Sequence, residues 1–225
     1  MSEAASILWV TPPQFVMAIP DPLPTGFETR VSKFAGRKVG EAPALWDGPL
    51  LRLIEFTSNT VVAQESSYRY LWAARAGDES RDWTFLAVTG VLLVEGHFIL
   101  GMRAEELAGA GKWEFAPAGG IEGFPPEQQL AQEIREELSL EREKLVIGAP
   151  VALFVDKSEF VADLIIPVEV KAPLKEVLER FEAGEYARIV ALKREDLSTF
   201  EIENSADFLC LSRYIVTLIH SGLIG

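Results

Sequence analysis

The sequence predicts an α/β/α sandwich around a mixed sheet with a small β-rich N-terminal lobe, and three observations lead there. From about residue 83 onward, apolar runs of strand length alternate with amphipathic stretches of helix length. Residues 113–140, WEFAPAGGIEGFPPEQQLAQEIREELSL, read as strand, glycine turn and helix in succession. Residues 1–80 differ in texture, with many prolines, a turn at Asp47-Gly48-Pro49 and a strand hairpin after it. The expected organisation is a β-rich extension over 1–80 and a main domain over 81–225.

Taken in order, residues 7–10 suit a short strand, and Pro12, Pro13, Pro20, Pro22 and Pro24 then break the chain into turns. Residues 27–36 can form a short helix with Val31 and Phe34 inward. Residues 50–57 and 60–64 pair as a hairpin about Ser58-Asn59, and 68–74 continue apolar and aromatic. This apolar content is too high for disorder, so the extension packs on the main domain. In that domain 84–93 and 97–102 are strands joined at Glu95-Gly96, and 113–115 is a third. After the helix come strands at 145–155 and 160–170 around Asp156-Lys157-Ser158, a charged helix at 174–181, a strand at 187–192 and a terminal helix at 205–218.

Composition narrows the function. A chain of 225 residues, 48% hydrophobic, buries one good core. Its net charge of −13 argues against nucleic acid or an anionic membrane as partner. The single Cys210 excludes an internal disulfide, and its neighbours Leu209 and Leu211 suggest a buried thiol. No apolar run has membrane-spanning length and the N-terminus lacks the pattern of a signal peptide, so the expected location is cytoplasmic.

The helix after the glycine turn holds the most informative residues. Pro125 and Pro126 suit a first helical turn, and Leu130, Ile134 and Leu138 form a buried stripe. Glu133, Glu136 and Glu137 stand at i, i+3 and i+4 and bring three carboxylates to one adjoining face. Like charges at that spacing repel by roughly 0.2–0.5 kcal/mol per pair, and acids late in a helix oppose its dipole. Such a cluster beside Gly119-Gly120 offers the oxygen donors a hard divalent cation takes, whereas an acidic pair alone is more often a solvated face.

The stretch resembles a Nudix box, G-x5-E-x7-R-E-U-x-E-E-x-G-U with U aliphatic. Aligning Glu136-Glu137 on the paired glutamates places Glu133 on the glutamate of RE, Ile134 on the first aliphatic and Leu140 on the last. A register with Arg135-Glu136 on RE would put Ser139 and Leu140 on the metal-binding glutamates. The sequence departs from the pattern at Gln132, where the family has arginine, and at Ser139, where it has glycine. The segment from Gly120 to Glu136 is also about two residues short, leaving Glu122 as the one nearby candidate for the early glutamate. The resemblance covers residues 81–225 and implies a Nudix-type fold, a Mg²⁺ or Mn²⁺ site on Glu133, Glu136 and Glu137 with a backbone carbonyl at Gly119 or Ala118, and cleavage of a nucleoside diphosphate derivative. The extension, with its WDGP-like turn and hairpin, is faintly similar to that of Nudix proteins that split UDP-glucose, which points to a nucleotide sugar.

Other residues are weighed against plainer roles. Arg103 could bind a substrate phosphate or pair with Glu105 or Glu106. Trp113 and Phe115 could stack a base or line the sheet, and Arg52 and Arg69 could face the cleft or alternate outward. His97 and His220 lack neighbours that suggest acid/base chemistry or zinc, and no nucleophile elbow, Walker loop or dinucleotide fingerprint is present. Two classes of function follow: a Mg-dependent pyrophosphohydrolase, favoured by the three glutamates, or a catalytically weakened nucleotide-binding or regulatory module, favoured by loss of the box arginine. The oligomeric state is open, a homodimer included.

Overall fold

The computed structural model describes residues 4–9, 11–19, 47–75, 83–105, 109–180 and 185–225. Strand β5 (Thr84–Val94) is the axis on which the others are hung. Its sequence, TFLAVTGVLLV, is β-branched and apolar on both faces, as a strand covered on both sides must be. It runs parallel to β11 (Val161–Val170) over ten residue pairs and antiparallel to β3 (Pro49–Phe56), β6 (His97–Arg103) and β8 (Ala118–Gly120). From β11 the sheet continues to β10 (Ala152–Asp156) and β1 (Ala4–Leu8), with β9 (Leu145–Ile147) on the far end of β11. From β3 it continues to β4 (Thr60–Ser67) and β2 (Gln14–Met17), and from β6 to β7 (Trp113–Phe115) and β12 (Tyr186–Lys193).

Alternation along β5 decides which helix covers which face. Leu86, Val88, Leu92 and Val94 share a cluster with Leu130, Ile134 and Leu138 of α2 (Pro126–Leu138) and with Val177 of α3 (Leu174–Arg180). On the other face Phe85 meets Tyr70, Leu71, Ala73 and Ala74 of α1 (Tyr68–Arg75). Val91, farther along, meets Leu197 of α4 (Arg194–Glu203) and Ile215, Val216, Leu218 and Ile219 of α5 (Cys210–His220). Helices on both faces of a mixed sheet give the expected α/β/α sandwich. The three apolar side chains of α2 are fully buried, each contributing about 1.5–3 kcal/mol.

Helix α2 ends where the box pattern has glycine. Ser139 takes the left-handed conformation, φ 52° and ψ 35°, and its N–H donates to Arg135 O at 3.1 Å. A residue with a Cβ is strained there, and glycine is the usual solution. Ser139→Gly is expected to stabilise the protein by about 0.5–1 kcal/mol, read as a rise in melting temperature of about 1–4 °C.

The N-terminal strands join the main sheet, β1 pairing with β10 and β3 with β5. The structure departs from the expectations at several points. Residues 68–74 are helical, because Tyr70, Leu71, Ala73 and Ala74 present one buried face at helical spacing. The strand expected over 145–155 is two, broken around Gly148 and Pro150, with the Gly148 N–H turned to Pro167 O. Strands β2 and β8 and helix α4 were not anticipated. Cys210 is exposed, not buried, because it opens α5 on the side away from the core. The short helix expected over 27–36 lies outside the described residues. Among the described residues no helix is long and apolar enough to cross a membrane.

Candidate active site

The site lies where α2 crosses β8. Three-residue β8 brings Gly119 so close to α2 that a Cβ there would stand 2.8 Å from Glu133 Oε2, and nearer still to the rest of the carboxyl. Only glycine lets that carboxylate lie against the strand. Gln129, one turn before, donates from Nε2 to Glu133 Oε1 at 2.6 Å. Burial raises the pKa of Glu133 against this bond, and Glu136, Glu185 and Glu122 raise it further.

Glu137, one turn after, is the more unusual group. Both its carboxylate oxygens are shielded from solvent, and among the described residues neither has a hydrogen-bond partner. Burial, with Glu185 and then Glu133 adding repulsion, pushes its pKa up to about 9. The Tyr186 hydroxyl is close enough for Glu114 and Glu137 to help burial raise its own pKa, yet it makes no hydrogen bond of good geometry.

Glu136 does not join these two. It is exposed, accepts from Gln132 Nε2 at 2.9 Å and lies 4.0 Å from Arg135 Nη2. The expected cluster of three carboxylates is thus divided, because i+3 turns Glu136 to the solvent side while i+4 keeps Glu137 above Glu133. Among the described residues no group of three or more Asp, Glu, His or Cys side chains is gathered to hold an ion. Gln132, at the position of the box arginine, bonds to Glu136, and the amide that holds Glu133 comes from Gln129 instead.

The facing wall is built from β6, β7 and β12. Arg103 Nη1 donates to Glu114 Oε1 at 2.6 Å, so among the described residues Arg103 pairs with an acid on the adjacent strand and not with Glu105, while Glu106 lies outside the described residues. Glu114 is 5% exposed; burial raises its pKa and Arg103 lowers it. Trp113, expected to bind substrate, is 2% exposed and stands edge-on to Phe200 at 5.1 Å. Its odd position in β7 turns it to the α4–α5 core, where no ligand can stack on it. Phe115 points the same way, while Glu114 between them points into the cleft.

Tyr68 and Asp163 complete the surroundings and were not singled out from sequence. Burial and the charge of Glu133 push the Tyr68 phenol up to about 12. Asp163, on β11, accepts from Thr89 Oγ1 at 3.1 Å. Burial pushes its pKa up to about 7 against that bond, with Glu114 and Asp156 adding repulsion and Arg103 opposing it. Lone acids inside apolar strands, Glu114 in WEF and Asp163 in VADLII, were the available signal.

Asp163 also sets a pH dependence. An aspartate in the unfolded chain titrates near 3.9, so between about pH 4 and pH 7 the native state holds a proton that the unfolded state has released. Stability from this group is complete below pH 4 and is lost as pH rises through 7. Asp163→Asn is expected to flatten this decline, measured as the difference between the urea midpoints of the two proteins at pH 5 and pH 8.

No family model matches this chain, and no curated protein matches it. Among solved structures it is similar to the Nudix hydrolase RenU from M. smegmatis, with 18% identity, 50% of this chain and 73% of that one covered, and a TM-score of 0.41. A Nudix hydrolase from Nitrosomonas europaea gives 15% identity, 61% and 88% coverage, and 0.43. A bifunctional NMN adenylyltransferase/ADP ribose pyrophosphatase from Francisella tularensis, complexed with AMP and a Mn ion, gives 16% identity, 61% and 42% coverage, and 0.44. The first two carry the name of the family whose box the 113–140 stretch resembles. At such identities and TM-scores the likeness assigns no residue a role.

Proposed function

We propose that this protein is a divalent-metal-dependent pyrophosphohydrolase acting on a nucleoside diphosphate joined to another group, with a nucleotide sugar as the first substrate to test. The observation that carries this reading is Glu137, a carboxyl group shielded from water with both oxygens unpartnered, next to a second carboxylate held against a glycine strand. A buried acid without a donor is costly, and a cation relieves it. Hard oxygen donors of this kind fit Mg²⁺ or Mn²⁺. Glu133 and Glu137 would hold the ion, with the backbone of Gly119 or Ala118 beside them. A cation there would neutralise charge on diphosphate oxygens and make a water molecule more acidic. The chain's own residues do the rest: Gln129 fixes the rotamer of Glu133, the Arg103–Glu114 pair fixes the facing wall, and Tyr186 of β12 stands beside Glu137.

The net charge of −13 suits a diphosphate bearing a neutral group better than a polyanion, so UDP-sugars are expected to outcompete capped RNA. The deciding experiment is a panel of nucleoside diphosphate derivatives with Mg²⁺, read by release of a monophosphate. Hydrolysis that needs the metal supports the reading. A second reading, a binding module with weakened catalysis, is favoured by the neutral amides of Gln129 and Gln132, which stand on the helix with no cation bonded to Glu133 among the described residues. Stabilisation by a UDP-sugar with no turnover of any compound at saturating Mg²⁺ would decide for it.

A further inference from the structure

On the face of the sheet opposite α2, two apolar clusters fail to meet. One lies under α1 and contains Phe85, with Val161 at its edge, and the other lies under α4 and α5 and contains Val91 and Ile165. Between Phe85 and Val91 the same face of β5 carries Ala87 and Thr89, and between Val161 and Ile165 the same face of β11 carries Asp163. The register sets Asp163 beside Ala87, Ala87 beside Gly120 and Thr89 beside Ala118. Five residues with small or polar side chains thus form a floor across β11, β5 and β8. Ala87, Ala118, Gly120 and Asp163 remain partly exposed although they stand in mid-sheet, where neighbouring positions are sealed.

The floor meets the proposed catalytic site around the short strand β8 and not on one face: Glu133 is near enough to raise the pKa of Tyr68, and Glu114 is near enough to raise those of both Glu137 and Asp163. Gly120 lies under the Tyr68 hydroxyl and Leu50, whose Cδ1 would be 2.6 Å from a Cβ added there, and Gly119, the next residue, lies against Glu133 from the other face. A group leaving the diphosphate on this side therefore reaches Ala118, then Thr89 and Asp163, within three strands. Among the described residues Thr89 alone hydrogen-bonds Asp163, at Oδ1. Above about pH 7, where it is ionised, the carboxylate only accepts, so what it fits is a donor: an amino or imino group of a base, or a sugar hydroxyl.

We infer that the floor of Ala87, Ala118 and Gly120, with the Thr89–Asp163 pair at its end, is the subsite that recognises a hydrogen-bond-donating group on the part of the substrate attached to the diphosphate. The inference rests on the hydrolase reading for the position of the diphosphate. Asp163 is then a specificity residue, and Thr89 holds it in place.

The test is calorimetric binding with Mg²⁺ of three sets of uncleavable probes: methylene diphosphonate, the α,β-methylene nucleoside diphosphates, and α,β-methylene UDP-glucose. Wild-type protein is expected to bind at least one nucleotide probe more tightly than methylene diphosphonate. Asp163→Asn, which keeps the shape and changes the acceptor, is expected to remove about tenfold of that gain and to leave methylene diphosphonate unchanged. Thr89→Val, which leaves the carboxylate, serves as a second variant with a smaller loss should Asp163→Asn fold poorly. Loss on both nucleotides and UDP-glucose places the donor on the nucleoside, and loss on UDP-glucose alone places it on the sugar. The inference is overturned if no nucleotide probe outbinds methylene diphosphonate in the wild type, or if the variants weaken all probes equally or none. Failure of the wild type to bind any probe, methylene diphosphonate included, overturns the hydrolase reading as well.

Discussion

Glu137→Gln is expected to abolish the thermal stabilisation that Mg²⁺ or Mn²⁺ confers and to lower hydrolysis by about a hundredfold or more. The size follows from the several kcal/mol that a metal contributes to charge stabilisation in the transition state, at about 1.4 kcal/mol per factor of ten. The metal-free protein should at the same time be no less stable at pH 7. Wild-type Glu137, with its pKa pushed up to about 9, is already neutral there without metal, and an amide of equal shape replaces it. Differential scanning fluorimetry with and without the cation, beside a monophosphate-release assay, checks both halves. A variant that keeps the full metal-induced shift would place the cation elsewhere. Glu136→Gln makes the comparison sharper: Glu136 is exposed and bonded to Gln132, so its loss should weaken metal binding far less.

The second large effect is expected at Gly101, in the middle of β6. A Cβ there would stand 2.7 Å from Cγ of Tyr186 and overlap the ring of a residue that is 2% exposed. Gly101→Ala is expected to cost about 1–3 kcal/mol, the usual range for overpacking in a filled core, and to lower the melting temperature by several degrees. The same ring stands by Arg103, Glu114 and Glu137, so its displacement should also weaken metal binding. A Gly101→Ala protein with wild-type stability would show that the β6–β12 contact yields more easily than the packing implies.

Sheet strands and helix α2 were legible in sequence because their signals are local. Period-two runs, the Glu95-Gly96 turn and the Leu130, Ile134, Leu138 stripe each need only neighbouring residues to interpret. The division of the acidic cluster was not legible. Whether Glu136 or Glu137 turns inward depends on where β8 crosses the helix, and that is fixed by the pairing of Val88 with Gly119 across the sheet. Arg103 reads from sequence as either a phosphate ligand or a partner of Glu105 or Glu106, whereas the Glu114 it pairs with lies on a neighbouring strand, eleven positions away. Trp113 misled because an aromatic residue in a strand looks the same whether it faces a ligand or a helix, and α4, which covers it through Phe200, was itself missed. Ser139 is the reverse case: the pattern asked for glycine, and the left-handed backbone shows the demand persists although the residue changed.

The joining of β3 to β5 and of β1 to β10 has a consequence for the protein as an object of experiment. A polypeptide beginning at residue 81 would present two bare strand edges, on β5 and on β10, and would lack Tyr68 above Gly120 and the α1 side chains that cover Phe85. Unpaired edges of that kind recruit other chains. Such a fragment should aggregate instead of surviving as a weaker enzyme. In the whole chain, amides of β3 and β4 are expected to exchange with solvent deuterium only through the same opening that releases β5 and β11, as one cooperative unit. Slow exchange shared by all four strands would mark the N-terminal strands as part of the scaffold that holds the carboxylates in place.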